Sequence, residues 1–334
     1  MLSQNARRRL NAVWMVLAFA MFAARFGQGA KTYMKQVFGV SLGDDSAPAA
    51  GKKSASESDG ALGAFAPQHD PNRTLRLSSW NLEFLDQPGK GEKPRSAPDY
   101  AALRRYAARL DADVVAVQEV ASEAALAEVF PREIFGYHLA ERGGVQRSGF
   151  VYRRGLSIQE LPDLDGIALR DLRAGAQLAV SVAGHTVRLL SVHLKAHCMT
   201  ESLTTPTADC DKLRAQLPAL ENWMEERAAE GVPFAVMGDF NRMLGAPDDE
   251  VYRELDDGEP GALQLKRGST RTQSRCRGGR IGNVIDHMLL GGSAGRAALD
   301  PGVVEVSYTP GDMSSGVHLS DHCPITLALN PKSL

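Results

Sequence analysis

From residue 72 onward the apolar positions fall into short runs, and several of these runs end on a carboxylate, an asparagine or a histidine. Leu75, Leu77 and Ser79 alternate with Arg76 and Ser78, the period of a strand with one buried face, and lead into Trp80-Asn81-Leu82-Glu83. Asp113 to Val120 is apolar almost throughout, as in a strand buried on both faces, with Gln118-Glu119 near its end. Strand-like stretches follow near Gly149 to Tyr152, Leu156 to Leu161, Gln177 to Val182 and Val187 to Leu194, the last containing Ser191-Val192-His193-Leu194. Phe234 to Met237 delivers Gly238-Asp239-Phe240-Asn241, Val284 to Leu290 carries Ile285-Asp286-His287, and Cys323 to Leu329 follows Ser320-Asp321-His322. Helical spacing occurs from Pro98 to Leu110, after Ser122 as far as Phe130, and from Asp211 to Glu230, where Gly231-Val232-Pro233 stops it. Strands in succession with few helices predict two sheets packed face to face with helices outside.

The first 70 residues read differently. Arg7-Arg8-Arg9 precedes an apolar stretch from Ala12 to Ala24, followed by Arg25. That stretch is shorter than the roughly 20 residues of a comfortable membrane span and fits the layout of an export signal. No clean small-x-small cleavage site follows it, so an uncleaved membrane anchor is the alternative. Residues 41–70 are rich in Ser, Ala, Gly and Asp, with little to bury against a core. The expected organisation is therefore an export signal or N-terminal membrane anchor over residues 1–30, a flexible linker over 31–71 and one folded domain over 72–330. Periplasmic or secreted location follows, or attachment to the inner membrane facing the periplasm.

Composition narrows the function. The hydrophobic fraction of 43% excludes disorder for most of the chain and excludes a polytopic membrane protein. The net charge is −2, and residues 1–70 hold 8 of the 38 basic but only 5 of the 40 acidic side chains, so the rest is acidic overall. A general nucleic-acid footprint is absent, yet residues 266–280 hold six basic side chains and no acidic one. Arg271, Arg275 and Arg277 in that stretch, together with Lys195, are candidates for contact with a polyanion. The four cysteines suit an oxidising compartment. Cys198 and Cys210 are close in sequence within a Thr/Ser/Pro-rich loop, which suits a local disulfide, with Cys276 and Cys323 left as a candidate second pair whose connectivity the sequence leaves open. A zinc site would need tight ligand spacing, which the cysteines lack.

Polar groups at the ends of apolar strands are costly unless they share a partner, and the usual shared partner is a divalent cation with a phosphate ester. Glu119 and Asp321 are the hard oxygen donors that Mg²⁺ or Mn²⁺ prefers. Asp239 and Asn241, two apart, can hold a water and donate to a phosphoryl oxygen. His193 and His322 can donate to phosphate, with Asp286 available to orient one of them.

In this order the segments W-N-L-E, Q-E, V-H-L-K, G-D-F-N, I-D-H and S-D-H-C-P-I resemble the endonuclease/exonuclease/phosphatase superfamily, which contains DNase I-like nucleases, apurinic-site endonucleases, sphingomyelinases and inositol polyphosphate phosphatases. The resemblance covers about residues 73–330 and implies an α/β fold, a four-layer α/β/β/α sandwich of two mixed sheets. It implies Glu119 as principal metal ligand, with Asn81 and Asp321 near the metal. Asp239 would orient or deprotonate water, Asn241 would donate to the transition state, His193 would bind phosphate, and His322 with Asp286 would stabilise the phosphorus centre. The activity expected is a monomeric, metal-dependent nuclease acting on nucleic acid, with a phosphatase or phospholipase C-like (sphingomyelinase-like) enzyme as runner-up and a non-catalytic envelope binding protein as a third reading.

Overall fold

A computed structural model of the chain describes residues 62–277 and 280–334, leaving aside the side chains of residues 277, 280 and 281. The expected export signal, most of the linker and the Arg277 side chain lie outside the described residues. Among those described, no helix is long and apolar enough to cross a membrane.

The described residues form two six-stranded mixed sheets and one two-stranded sheet. In the first, β1 (Leu75–Leu85) runs parallel to β2 (Val114–Val120) and antiparallel to β14 (Ile325–Leu329), with β4 (Arg147–Arg153), β3 (Phe135–Leu139) and β13 (Val304–Glu305) outside them. In the second, β7 (His185–His193) runs parallel to β8 (Phe234–Asp239), flanked by β6 (Gly175–Val182) and β5 (Ser157–Leu164) on one side and by β12 (Asp286–Gly291) and β9 (Lys266–Arg267) on the other. β10 (Gln273–Arg277) and β11 (Arg280–Asn283) pair only with each other.

Three apolar clusters separate four layers. Leu75, Leu77, Val114, Leu189, Met237 and Leu327 fill the space between the sheets. Helix α1 (Ala97–Leu110) packs Leu103, Tyr106 and Leu110 against Trp80 and Val117 on the outer face of the first sheet. Helix α3 (Ala208–Ala229) packs Leu213, Leu217 and Leu220 against Val192 and Val236 on the outer face of the second; the short α2 (Glu123–Ala127) lies with the first sheet. The helix ends follow local chemistry. Asp99 accepts hydrogen bonds from the Ser96 N–H and hydroxyl, and Thr207 accepts the Cys210 N–H at 3.2 Å. Cys210 therefore sits in the first turn of α3 rather than in the loop expected for it. It bonds to Cys198 there, and Cys276 bonds to Cys323.

The packed chain extends past the expected limits of residues 72 and 330. Phe65 is buried with its ring edge-on to Phe135, and its carbonyl accepts from Arg153. His69 lies between Asp111 and Asp113, at 3.1 Å and 3.0 Å. One aromatic residue and one ion cluster are enough to dock a segment whose average composition reads as linker. At the other end, Leu334 packs against the inter-sheet core.

Strand periodicity places the functional groups. Along β1 the inward positions read Leu75, Leu77, Ser79, Asn81; along β7, Val187, Leu189, Ser191, His193; along β8, Ala235, Met237, Asp239. Each row is apolar at its start and polar at its end, and the parallel pairs bring those ends to one rim. β12 is antiparallel to β8 and opens on Asp286 opposite Asp239, while the segment before β14 carries His322 to the same rim. Gly238 makes one step of this possible: its φ is +152°, and a Cβ there would sit 2.0 Å from the Val192 carbonyl oxygen.

Gly238→Ala is accordingly expected to lower folding stability by about 2 kcal/mol or more. A urea unfolding midpoint equal to wild type would show that β7 and β8 can separate freely.

Candidate active site

At the rim, Asn81 is the central group. Its side-chain amide donates to Glu119 Oε1 at 3.1 Å and to Asp239 Oδ2 at 3.0 Å, and its own oxygen accepts the Glu83 N–H at 2.9 Å. Asn81 thus orients the two carboxylates as a donor, while the sequence had suggested a place close to the metal. Below it, Gln118 donates to Ser191 at 3.1 Å and Ser191 to the Val117 carbonyl at 3.2 Å, a polar layer that joins the sheets under the site.

Glu119 would face outward if β2 continued regularly, because Gln118 faces inward. Its φ of +58° and the break in register with β4 turn it to the rim, and Glu83 and Phe84, at φ of 49° and 52°, bulge β1 at the same level. Phe84 N–H then donates to Glu119 Oε2 at 3.2 Å. Non-glycine residues rarely adopt this region, and strain of this kind gathers where function demands it.

Asp239 is buried. Asn241, itself at φ +51°, donates its N–H to Asp239 Oδ1 at 2.8 Å and its side-chain amide to the Leu194 carbonyl at 3.0 Å. Burial pushes the Asp239 carboxyl up to about 6, against the opposing effect of His322 and with the Asp286 charge adding to the rise. His322 Nδ1 lies 2.7 Å from Asp286 Oδ2, which turns Nε2 toward the cluster, 3.7 Å from Asp239 Oδ2 and 3.8 Å from Asp321 Oδ1. His193 Nε2 sits 3.6 Å from Asp239 and 3.7 Å from Glu119. Burial, reinforced by Arg173 and His322, holds the His193 ring well below the ordinary histidine value, so it is neutral at neutral pH.

Asn81, Glu119, His193, Asp239, Asn241, Asp286, Asp321 and His322 therefore share one site. The basic candidates lie around or away from it. Arg275 is exposed on β10 and Arg271 is exposed just before it, and β10 pairs with β11 as a hairpin. Lys195 points elsewhere: its ammonium donates to the Ala196 carbonyl and lies 2.6 Å from Asp209 Oδ1. Two further residues, outside the candidate set, support the site. Arg173 donates to the carbonyls of His193 and Leu194, at 2.8 Å and 2.9 Å, within the fields of Asp239 and Glu119. Glu83 is buried, accepts the Asp321 N–H at 3.2 Å, lies 3.0 Å from His318 Nε2, and binds the ammonium of Lys93. The signal for Arg173 was the β6–β7 hairpin, whose register puts the residues before Gly175 beside those after Ser191.

Among the described residues, no Lys or Arg lies within ion-pair distance of Glu119, Asp239, Asp286 or Asp321; the side chains within that distance are the imidazoles of His193 and His322. A buried oxygen of Asp286 also lacks a hydrogen-bond donor. An all-oxygen set with little internal counter-charge fits a hard divalent cation.

The chain matches the model of the Endonuclease/Exonuclease/phosphatase family over residues 78–322. Solved structures similar to it include truncated TDP2 of Caenorhabditis elegans, at 16% identity over 77% of this chain and 98% of that one, with a TM-score of 0.55. D. rerio TDP2 complexed with single strand DNA product is similar at 16% identity, 77% and 99% coverage and a TM-score of 0.52. The human Nocturnin catalytic domain with bound sulfate anion is similar at 15% identity, 77% and 93% coverage and a TM-score of 0.52. No curated protein matches. These likenesses establish the fold: two mixed sheets with flanking helices, the DNase I-like sandwich.

If Asp239 takes a proton during turnover, it must first be ionised, so hydrolysis of a small phosphodiester should rise as pH increases to and through about 6 and fall below it. The profile of kcat/KM against pH tests this, and a flat profile across that region would remove Asp239 from the proton transfer.

Proposed function

We propose, from the premise that this chain belongs to the endonuclease/exonuclease/phosphatase family of metal-dependent phosphoesterases, that it is a nuclease hydrolysing nucleic-acid phosphodiesters by in-line attack of water. The observation that carries this reading is the facing of Asp239 and the Asp286–His322 pair across the rim, 3.7 Å apart at Asp239 Oδ2 and His322 Nε2, with exposed Arg275 on a hairpin that Cys276 ties to Cys323, next to His322 in sequence, and exposed Arg271 just before that hairpin.

Each residue has a task that its surroundings support. Asp239, held by Asn81 and Asn241, orients water and accepts its proton; a carboxyl raised toward neutrality does this better than one left at its ordinary value. His322 donates from Nε2 to a phosphoryl oxygen once charged, and Asp286 on Nδ1 stabilises that imidazolium. Neutral His193 and the second N–H of the Asn241 amide are further donors for charge that develops on oxygen. Glu119 and Asp321 would hold the cation, Mg²⁺ or Mn²⁺, which when bound polarises a phosphoryl oxygen.

Export agrees with two disulfides, which persist in oxidising compartments, and with the apolar stretch from Ala12 to Ala24 behind three arginines.

Asp239→Asn and His322→Ala are each expected to lower turnover by about two orders of magnitude or more, and near-native rates in either would overturn the assignment. The deciding assay offers the full chain plasmid DNA, RNA, bis-p-nitrophenyl phosphate, p-nitrophenyl phosphate and sphingomyelin, with Mg²⁺, Mn²⁺ or EDTA. Metal-dependent nicking that Asp239→Asn abolishes supports a nuclease. Turnover of a monoester or lipid without nicking moves the function to a phosphatase or phospholipase, and no turnover at all would leave a binding protein.

A further inference from the structure

We propose that the Cys276–Cys323 disulfide positions the basic hairpin against the site, and that it governs action on polymeric nucleic acid while leaving hydrolysis of small phosphodiesters unchanged. The inference rests on the nuclease reading above. β10 and β11 form a two-stranded sheet of their own, paired with neither large sheet, and such a hairpin is marginal in water by itself. Among the described residues, its polar contacts with the rest of the molecule are sparse. Arg275 N–H meets Glu305 Oε1 at 3.5 Å, Arg271 lies 3.7 Å from Glu305 Oε2, and Asn283 donates to the Met199 sulfur at 3.0 Å. The covalent hold is Cys276, the residue after Arg275, and its partner Cys323 is the residue after His322. The crosslink thus fixes a cationic arm one residue from a group that faces the scissile phosphate.

His322 does not depend on that bond. Its ring is held by Asp286 at 2.7 Å, its N–H donates to Ser320 Oγ at 3.1 Å, and its carbonyl accepts from the Trp80 indole at 3.2 Å and from the Tyr308 hydroxyl. Trp80 and Tyr308 are themselves buried in the core. Cutting the crosslink therefore releases the arm and leaves the ring in place. A polymer whose flanking phosphates reach Arg271 and Arg275 gains from cations held at a fixed distance, and a loose arm must be ordered at every encounter. A small diester does not extend to the arm.

The test is the full chain carrying Cys276→Ser and Cys323→Ser, with Cys198–Cys210 retained. Nicking of supercoiled plasmid and hydrolysis of bis-p-nitrophenyl phosphate are measured on the same preparation, together with its thermal melt. Loss of an ordered cationic contact predicts about a tenfold or larger fall in kcat/KM on plasmid, carried mainly by KM, with a shallower salt dependence and less than about a twofold change on the small diester. Equal losses on both substrates, or undiminished nicking, overturn the proposal. Should that variant fail to fold, Arg271→Ala with Arg275→Ala and the crosslink intact is expected to show the same polymer-only defect, and unchanged nicking would overturn it equally. A wild-type protein that does not nick with Mg²⁺ or Mn²⁺ instead refutes the nuclease reading, before any variant is made, and this inference with it.

Discussion

A single side-chain amide holds the two sheets in register at their charged end. Asn81 belongs to the first sheet, yet it donates both to Glu119 on the adjacent strand and to Asp239 on the opposite sheet. An amide between them satisfies an oxygen of each and fixes the direction of both. Gln118 and Ser191 repeat the bridge one layer down, so the rim stands on a polar floor joined across the sandwich. The orientation of Asp239, the reach of the histidines and the acid-rich mouth all follow from that closure.

Much of this was legible because strands have a period of two. Leu75, Leu77, Ser79, Asn81 is a row that can be read from the sequence, and so is the delivery of Asp239 at the end of an apolar run. What was not legible depends on pairing. Arg173 shows no pattern of its own and reaches the His193 carbonyl only because β6 and β7 are antiparallel in one register. Lys195 fails in the opposite way: it follows His193 closely in sequence, but Asp209 at the start of α3 claims its ammonium. The β10–β11 hairpin lacks the alternating apolar residues that announce strands. Phe65 was hidden by the composition of its neighbours, which reports an average while docking needs one ring.

The site also runs against local preference. Glu83, Phe84, Glu119 and Asn241 all occupy the left-handed region without being glycine, a cost of order 1 kcal/mol or more for each. Asp239 is buried, which pushes its carboxyl up to about 6 and makes its charged form costlier than on the surface. The apolar layers and α1 and α3 compensate for this concentration of unfavourable conformations at one rim. Stability and chemistry are thus separated along each strand, the first half serving one and the last residues the other.

The graded rows have an electrostatic consequence. Below the rim and its polar floor lie Leu, Val and Met side chains of low polarity, and above it the site opens to solvent. Field lines from the acidic cluster are poorly accommodated by the interior and emerge through the open mouth, extending its pull outward. A small cation is drawn in along that path, whereas a polyanion meets repulsion until the cluster is neutralised. Under the function proposed above, the fold would impose an order of arrival, a divalent cation ahead of a polyanionic substrate, without any moving part to enforce it.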